Sequence, residues 1–128
     1  MDRFDGPAKE ITRRILACAF DVHAGLGPGL LESAYGACLA HRLQQHKLKI
    51  EREVAISLTF DGMIIPTAYR ADLIVEDRVL IELKAVDHLL SIHVAQTRTY
   101  LRHSGLETAL LLNFNVGSLV NGIRRFNR

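Results

Sequence analysis

Two short apolar runs flank a charged tip in R-A-D-L-I-V-E-D-R-V-L-I-E-L-K, residues 70–84. The β-branched and apolar residues on either side of Glu76-Asp77-Arg78 predict a hairpin. A loop centred on Asp77 sets Asp72 opposite Glu82 on the neighbouring strand. Alternation then places Asp72, Ile74, Leu80, Glu82 and Lys84 on one face, and Leu73, Val75, Val79, Ile81 and Leu83 on the other. Both faces are largely apolar, as in a strand pair covered on both sides. Like charges opposed in such a layer repel unless they are paired or hold a metal. Lys84 supplies one positive charge, and a divalent ion held by Asp72 and Glu82 would supply the rest. The competing reading is a salt-bridged hairpin, neutralised by Lys84, to which no chemistry attaches.

The elements that position these residues must come from a short chain. At 128 residues and 48% hydrophobic content, residues 1–128 are expected to form one domain with a proper core. The net charge of +2 and pI of about 8.7 suit a nucleic-acid partner without requiring one. No apolar run approaches the roughly 20 residues that span a bilayer, and M-D-R-F-D-G-P lacks a signal-peptide core. A soluble, cytoplasmic protein with no membrane partner is the expectation. Cys18 and Cys38 are too few for a disulfide framework or a cysteine-ligated zinc, and read as small core residues.

From Pro7 to about His23, Ile11, Ile15, Ala19 and Val22 recur at helical spacing, with Lys9, Arg13 and Arg14 on a solvated side. Gly25-Leu26-Gly27-Pro28-Gly29 forces a sharp turn before a second helix, from near Leu30 to about His46. At its start Glu32 and Tyr35 occupy neighbouring positions of one face, beside an apolar stripe of Leu31, Ala34 and Cys38. Glu32 there also complements the helix dipole, which is the plainer explanation. Alternating Val54, Ile56 and Leu58 predict a strand over 50–60, Asp61-Gly62 a tight turn, and Pro66 a bulge or edge position in the returning strand. Leu89 to His103 reads as a helix closed by Ser104-Gly105, with His93, Gln96, Tyr100 and His103 along one polar stripe that is either solvated or site-lining. Glu107 to Asn113 predicts a buried strand parallel to its predecessor through the helical crossover. Gly122 to Phe126 predicts an edge strand, with Arg124, Arg125 and Arg128 either touching phosphates or forming a solvated end.

The order helix, helix, three strands, helix, strand, with an Asp in the second strand and E-x-K in the third, resembles the PD-(D/E)xK nuclease superfamily. In detail the chain is similar to the RecB-like GxxExxY branch. The motif stands here as Gly29-Leu30-Leu31-Glu32-Ser33-Ala34-Tyr35, and the resemblance continues through Asp72, Glu82-Leu83-Lys84, Gln96 with Tyr100, and Asn113-Phe114, covering roughly residues 10 to 126. It implies an α/β fold with a restriction-endonuclease-like core: a central mixed sheet of four to five strands in αα-βββ-α-β order, flanked by helices on both faces. It further implies that Asp72 and Glu82 are metal ligands, that the backbone carbonyl of Leu83 is another, that Lys84 is the catalytic lysine, and that Glu32 completes the site. Gln96 and Tyr100 would line it beside the substrate. The family's proline before the first acid is replaced here by Ala71.

The activity so implied is a Mg²⁺-dependent nuclease, with Mn²⁺ able to substitute, hydrolysing phosphodiester bonds of nucleic acid, DNA in the first instance. Lys84 would orient or deprotonate the attacking water. The alternative from another class is a catalytically silent nucleic-acid- or protein-binding module on the same fold; a hydrolase of small phosphate esters is a third reading. A catalytic site should gain thermal stability from the ion, to which a silent scaffold is indifferent. A homodimer is expected, because so small a core offers little surface to grip a duplex.

Overall fold

A computed structural model describes residues 7–128 of the chain. The amino-terminal M-D-R-F-D-G, part of the stretch read for a signal peptide, lies outside the described residues. Two helices come first, α1 (Pro7–Leu26) and α2 (Glu32–Gln45), followed by strands β1 (Ile50–Phe60), β2 (Met63–Val75) and β3 (Val79–Lys84). Helix α3 (Ser91–Ser104), strand β4 (Thr108–Asn113), a 3₁₀ turn (Leu119–Gly122) and strand β5 (Ile123–Asn127) complete the order. The sheet runs β1-β2-β3-β4-β5, parallel between β3 and β4 and antiparallel elsewhere. This is the mixed sheet and element order of a restriction-endonuclease-like fold, with the parallel pair made by the α3 crossover.

Alternation along the central strands feeds two apolar layers. Leu73, Val75, Val79, Ile81, Leu110 and Leu112 pack with Ile15, Ala19, Leu39 and Leu43 of α1 and α2. Ile74, Leu80, Ala109 and Leu111 face the other way, with Leu101 of α3 and Phe126 of β5. Every residue from Val79 to Leu83 is buried, as it must be in a strand covered on both sides. Among the described residues no helix is long and apolar enough to cross a membrane.

Three departures from regularity matter for the site. The chain leaves α1 through Gly27 and Gly29, at φ of 67° and 105°, values that glycine alone adopts without strain. Leu31, expected on an apolar stripe, precedes the first turn of α2 and is 77% exposed. On the β1–β2 hairpin, Ile56 pairs with Tyr69 but Leu58 pairs with Ile65, so the residues from Pro66 to Ala68 bulge out of β2. Proline cannot donate to the ladder, and the bulge begins at that missing donor.

Candidate active site

The β2–β3 register is the one the hairpin predicts: Val75 faces Val79, Ile74 faces Leu80 and Leu73 faces Ile81. Regular pairing stops there. The next hydrogen-bonded pair would join Ala71 to Leu83, but the Leu83 N–H donates to Asp72 Oδ2 at 2.7 Å instead. The Asp72 N–H in turn donates to Glu82 Oε1 at 3.3 Å. The strands splay, and two carboxylates fill the gap.

The other side of β2 is interrupted at the same level. Arg52 pairs with Leu73 and Val54 with Ala71, yet Glu53 and Asp72 between them do not pair. Glu53 has a φ of 53°, the left-handed region that an L side chain enters only at a cost. Its departure releases the Asp72 N–H, and a groove of about 400 Å³ opens beside it, whose lining includes Glu32, Gly36, Arg52, Glu53, Asp72 and Leu83.

Glu82 is only 6% exposed. Burial, followed by the neighbouring Asp72 charge, pushes its carboxyl up to about 8. Asp72 is also raised, by burial first, against the Leu83 hydrogen bond, which favours its charged form. Glu32, exposed on the rim at the first position of α2, is raised by partial desolvation and then by Asp72. The N-cap position before it is Leu31, whose side chain makes no capping hydrogen bond. The Glu32 charge is felt by Glu82, but among the described residues no three Asp, Glu, His or Cys side chains form a compact metal-binding group. Asp72 and Glu82 are the close pair, with Glu32 across the groove.

Lys84 is half-buried and lowers all three acids through its charge, yet among the described residues it forms no ion pair. A hairpin neutralised by a Lys84 salt bridge is therefore not what forms, and without a cation Glu82, its carboxyl pushed up to about 8, relieves the repulsion by keeping its proton. Asp72 Oδ1 and Glu82 Oε2 accept no hydrogen bond among the described residues. The Lys84 carbonyl accepts from the N–H of Phe114, the residue just past β4. Alternation thus turns the Leu83 carbonyl the other way, toward the gap. Two carboxylate oxygens and a carbonyl oxygen are hard donors of the kind Mg²⁺ and Mn²⁺ prefer, so the residues present fit a divalent cation.

On the α3 side, Tyr100 stacks on Tyr69 of β2 with ring centroids 3.8 Å apart, and the Tyr69 hydroxyl donates to the Tyr100 carbonyl. Both phenols are raised, by burial and then by Glu82. Tyr100 therefore stands beside the acids, and Tyr69, which no motif singled out, stands with it. Gln96 is half-buried on the same flank. His93 is used locally: its Nδ1 accepts from Leu90 N–H at the start of α3.

Two further motif residues act on the backbone. Tyr35 is fully buried against Phe114, centroids 4.7 Å apart, and its hydroxyl donates to the Gly27 carbonyl at 2.5 Å and accepts from Leu30 N–H. It pins the glycine-rich turn that delivers Glu32. Asn113 imitates a strand peptide, accepting from Val86 N–H at Oδ1 and donating from Nδ2 to the Val86 carbonyl, so the segment after Lys84 is held in line.

No curated protein and no solved structure matches the chain. A family model described as the PD-(D/E)XK nuclease superfamily matches residues 9–126. That span takes in helix α2 beside the groove, the splayed acids and the α3 crossover, and the chain belongs to the PD-(D/E)XK nuclease superfamily.

Proposed function

We propose that the protein is a divalent-metal-dependent nuclease that hydrolyses phosphodiester bonds of DNA. The observation that carries this reading is the opposition of Asp72 and Glu82 across the splayed strands, each with a free oxygen and no neutralising ion pair. Asp72, Glu82 and the Leu83 carbonyl would hold Mg²⁺, or Mn²⁺ in its place, with Glu32 closing the site from α2. The bound cation supplies charge stabilisation to a phosphoryl group in transfer and acidity to water.

The remaining work falls to the chain. Lys84, two residues beyond Glu82, orients the attacking water or deprotonates it, the second role requiring that its own ammonium proton first be lost on desolvation, which a guanidinium would not allow. Tyr100 and Gln96 hold the substrate strand against the splayed end of β3. The water's hydroxide adds to phosphorus, its proton ends on the departing 3′ oxygen, and the products are a 5′ phosphate and a 3′ hydroxyl. Rows of apolar side chains on both faces of β3 keep the acids desolvated, so their attraction for a cation is stronger than at an open surface.

The test is conversion of supercoiled plasmid to nicked and linear forms with Mg²⁺ or Mn²⁺, measured against EDTA. Asp72→Asn, Glu82→Gln and Lys84→Ala should each abolish it, the last by roughly 10²–10⁴-fold, as expected for loss of a proton-transfer group. Cutting that persists in any two of the three variants would refute the assignment, and a protein that neither cuts nor responds to the ion would be the silent module.

A further inference from the structure

Helix α3, S-I-H-V-A-Q-T-R-T-Y-L-R-H-S, contains no acidic residue, in a chain that has 14. It straddles the sheet face. On one flank Tyr100 meets Tyr69 of β2 beside the acids, while on the other the Arg98 guanidinium lies 5.0 Å over the Phe126 ring of β5. Arg102, one turn on, shares the Arg98 flank. Between α3 and β5 lies a cleft of about 350 Å³ whose lining includes Arg98, Leu101, Arg102, Arg125, Phe126 and Arg128, and no acid. All four arginines are exposed, and among the described residues none forms an ion pair. Arg128 is nonetheless fixed in place, because its N–H donates to the Glu107 carbonyl.

Arg98, Arg102 and Arg128 line the cleft from the α3 side of the sheet, whereas Arg125, opposite Leu110, borders it from the edge strand and turns its side chain toward the α1–α2 layer. Three guanidinium groups unneutralised by their own chain repel one another unless an anion joins them. Each presents a planar fork of donors that matches phosphate oxygens. The one aromatic ring, Phe126, is 9% exposed and covered by Arg98, so no face is offered for a base to stack on. Phe126 sits opposite Ala109, which pairs with Leu80, two residues before Glu82. Two strand spacings across and two residues along put the cleft roughly 12 Å from the acids in the sheet plane. The exposed back of α3 between them carries Ala95 and Arg102, with no negative charge to turn a polyanion away.

We propose that the α3–β5 cleft binds backbone phosphates of nucleic acid without reading bases, holding the strand about two nucleotides from the bond presented to Glu82. The inference goes beyond the hydrolytic reading and rests on it only in choosing nucleic acid among polyanions.

Binding of a fluorescein-labelled 20-nucleotide single-stranded DNA, followed by anisotropy in EDTA over a range of salt, tests it apart from hydrolysis. The pair Arg102→Glu and Arg128→Glu should weaken binding more than tenfold and lower the slope of log affinity against log salt by about 1.4, because two fewer phosphates are neutralised. The pair Arg13→Glu and Arg78→Glu, an equal charge change on α1 and on the β2–β3 turn, should cost little. Should charge reversal disturb the fold, seen as a lowered melting temperature, Arg102→Gln with Arg128→Gln repeats the measurement with a smaller expected loss. Unchanged affinity and slope, an equal loss in the remote pair, or competition by polyglutamate as effective as by unlabelled DNA of equal charge would each overturn the proposal. A protein that binds through the cleft yet cuts nothing would refute the nuclease reading and leave this one standing.

Discussion

Asp72 caps the backbone of Leu83: its Oδ2 accepts, at 2.7 Å, the N–H that would otherwise have continued the β2–β3 ladder onto Ala71. A residue whose charge the proposed metal site would need is therefore also part of the sheet, and the two roles can be separated by substitution. Asparagine keeps an oxygen in the same place and discards the buried charge. Alanine leaves the Leu83 N–H unpaired, at a cost of about 1–3 kcal/mol. Urea unfolding in EDTA should accordingly find Asp72→Asn at least as stable as the parent and Asp72→Ala clearly less so, with both inactive. Equal stability of the two variants would mean that the Asp72–Leu83 bond contributes nothing to the fold.

Glu82 makes the metal-free protein sensitive to pH in a direction opposite to that of ordinary ion-paired carboxylates. Burial, and Asp72 beside it, raise its carboxyl from 4.5 to about 8. Between those values the folded chain holds a proton that the unfolded chain has released, so stability falls as pH rises through about 4.5 to 8 and levels off above. At 1.36 kcal/mol per pH unit the full effect is a few kcal/mol. Glu82→Gln should flatten this profile, being more stable than the parent in EDTA at pH 8.5 and close to it at pH 5. Denaturant midpoints at the two pH values decide the matter, and parallel profiles would show that Glu82 is not desolvated as its burial implies.

Tyr35 is the third lever, acting on Glu32 from below. Its ring is held by Phe114, while its hydroxyl grips Gly27 and Leu30 on either side of the turn into α2. Tyr35→Phe keeps the stack and frees the turn, so stability should drop by only about 1 kcal/mol, since water can reach the two backbone groups. Glu32 would be the residue displaced. Nuclease kinetics should show kcat reduced severalfold, and a metal titration a weaker ion, whereas unaltered kinetics would make Glu32 independent of the turn that carries it.

The β2–β3 hairpin was legible because its signals are local: a polar tip centred on Asp77, apolar runs on both sides, and a side-chain period of two that cannot slip without exposing one face. The two apolar layers followed from the same alternation. Glu32 was different. Periodicity puts it on α2 but does not bring α2 to the sheet, and only the resemblance to the GxxExxY branch implied that Glu32 completes the site. Glu53 was hidden by Pro66. Counting back from the Asp61-Gly62 turn in unbroken register would set Glu51 opposite Asp72, and the extra residues at 66–68 move that place to Glu53. In E-R-E-V, Glu53 reads as a solvated strand residue, and nothing in the pattern announces a left-handed backbone. Tyr69 was missed for a related reason, since its partner Tyr100 lies 31 residues away across a helix crossover.

Glu53 holds a φ of 53° inside a strand and adds a negative charge that raises Asp72. A side chain in the left-handed region costs about 1–3 kcal/mol, which glycine avoids, although glycine gives back about 0.4–1 kcal/mol through the greater freedom of its unfolded chain. Glu53→Gly should therefore stabilise the metal-free protein by about 1 kcal/mol. Glu53→Ala removes the same charge but keeps a Cβ at the strained position, so it should gain less. Chemical denaturation of the pair separates strain from charge: glycine above alanine means that the backbone at Glu53 is held open against its own preference, at the point where β1 lets go of Asp72. If alanine matches glycine, only the charge matters, and the gap between the strands must be kept open by Asp72 and Glu82 alone.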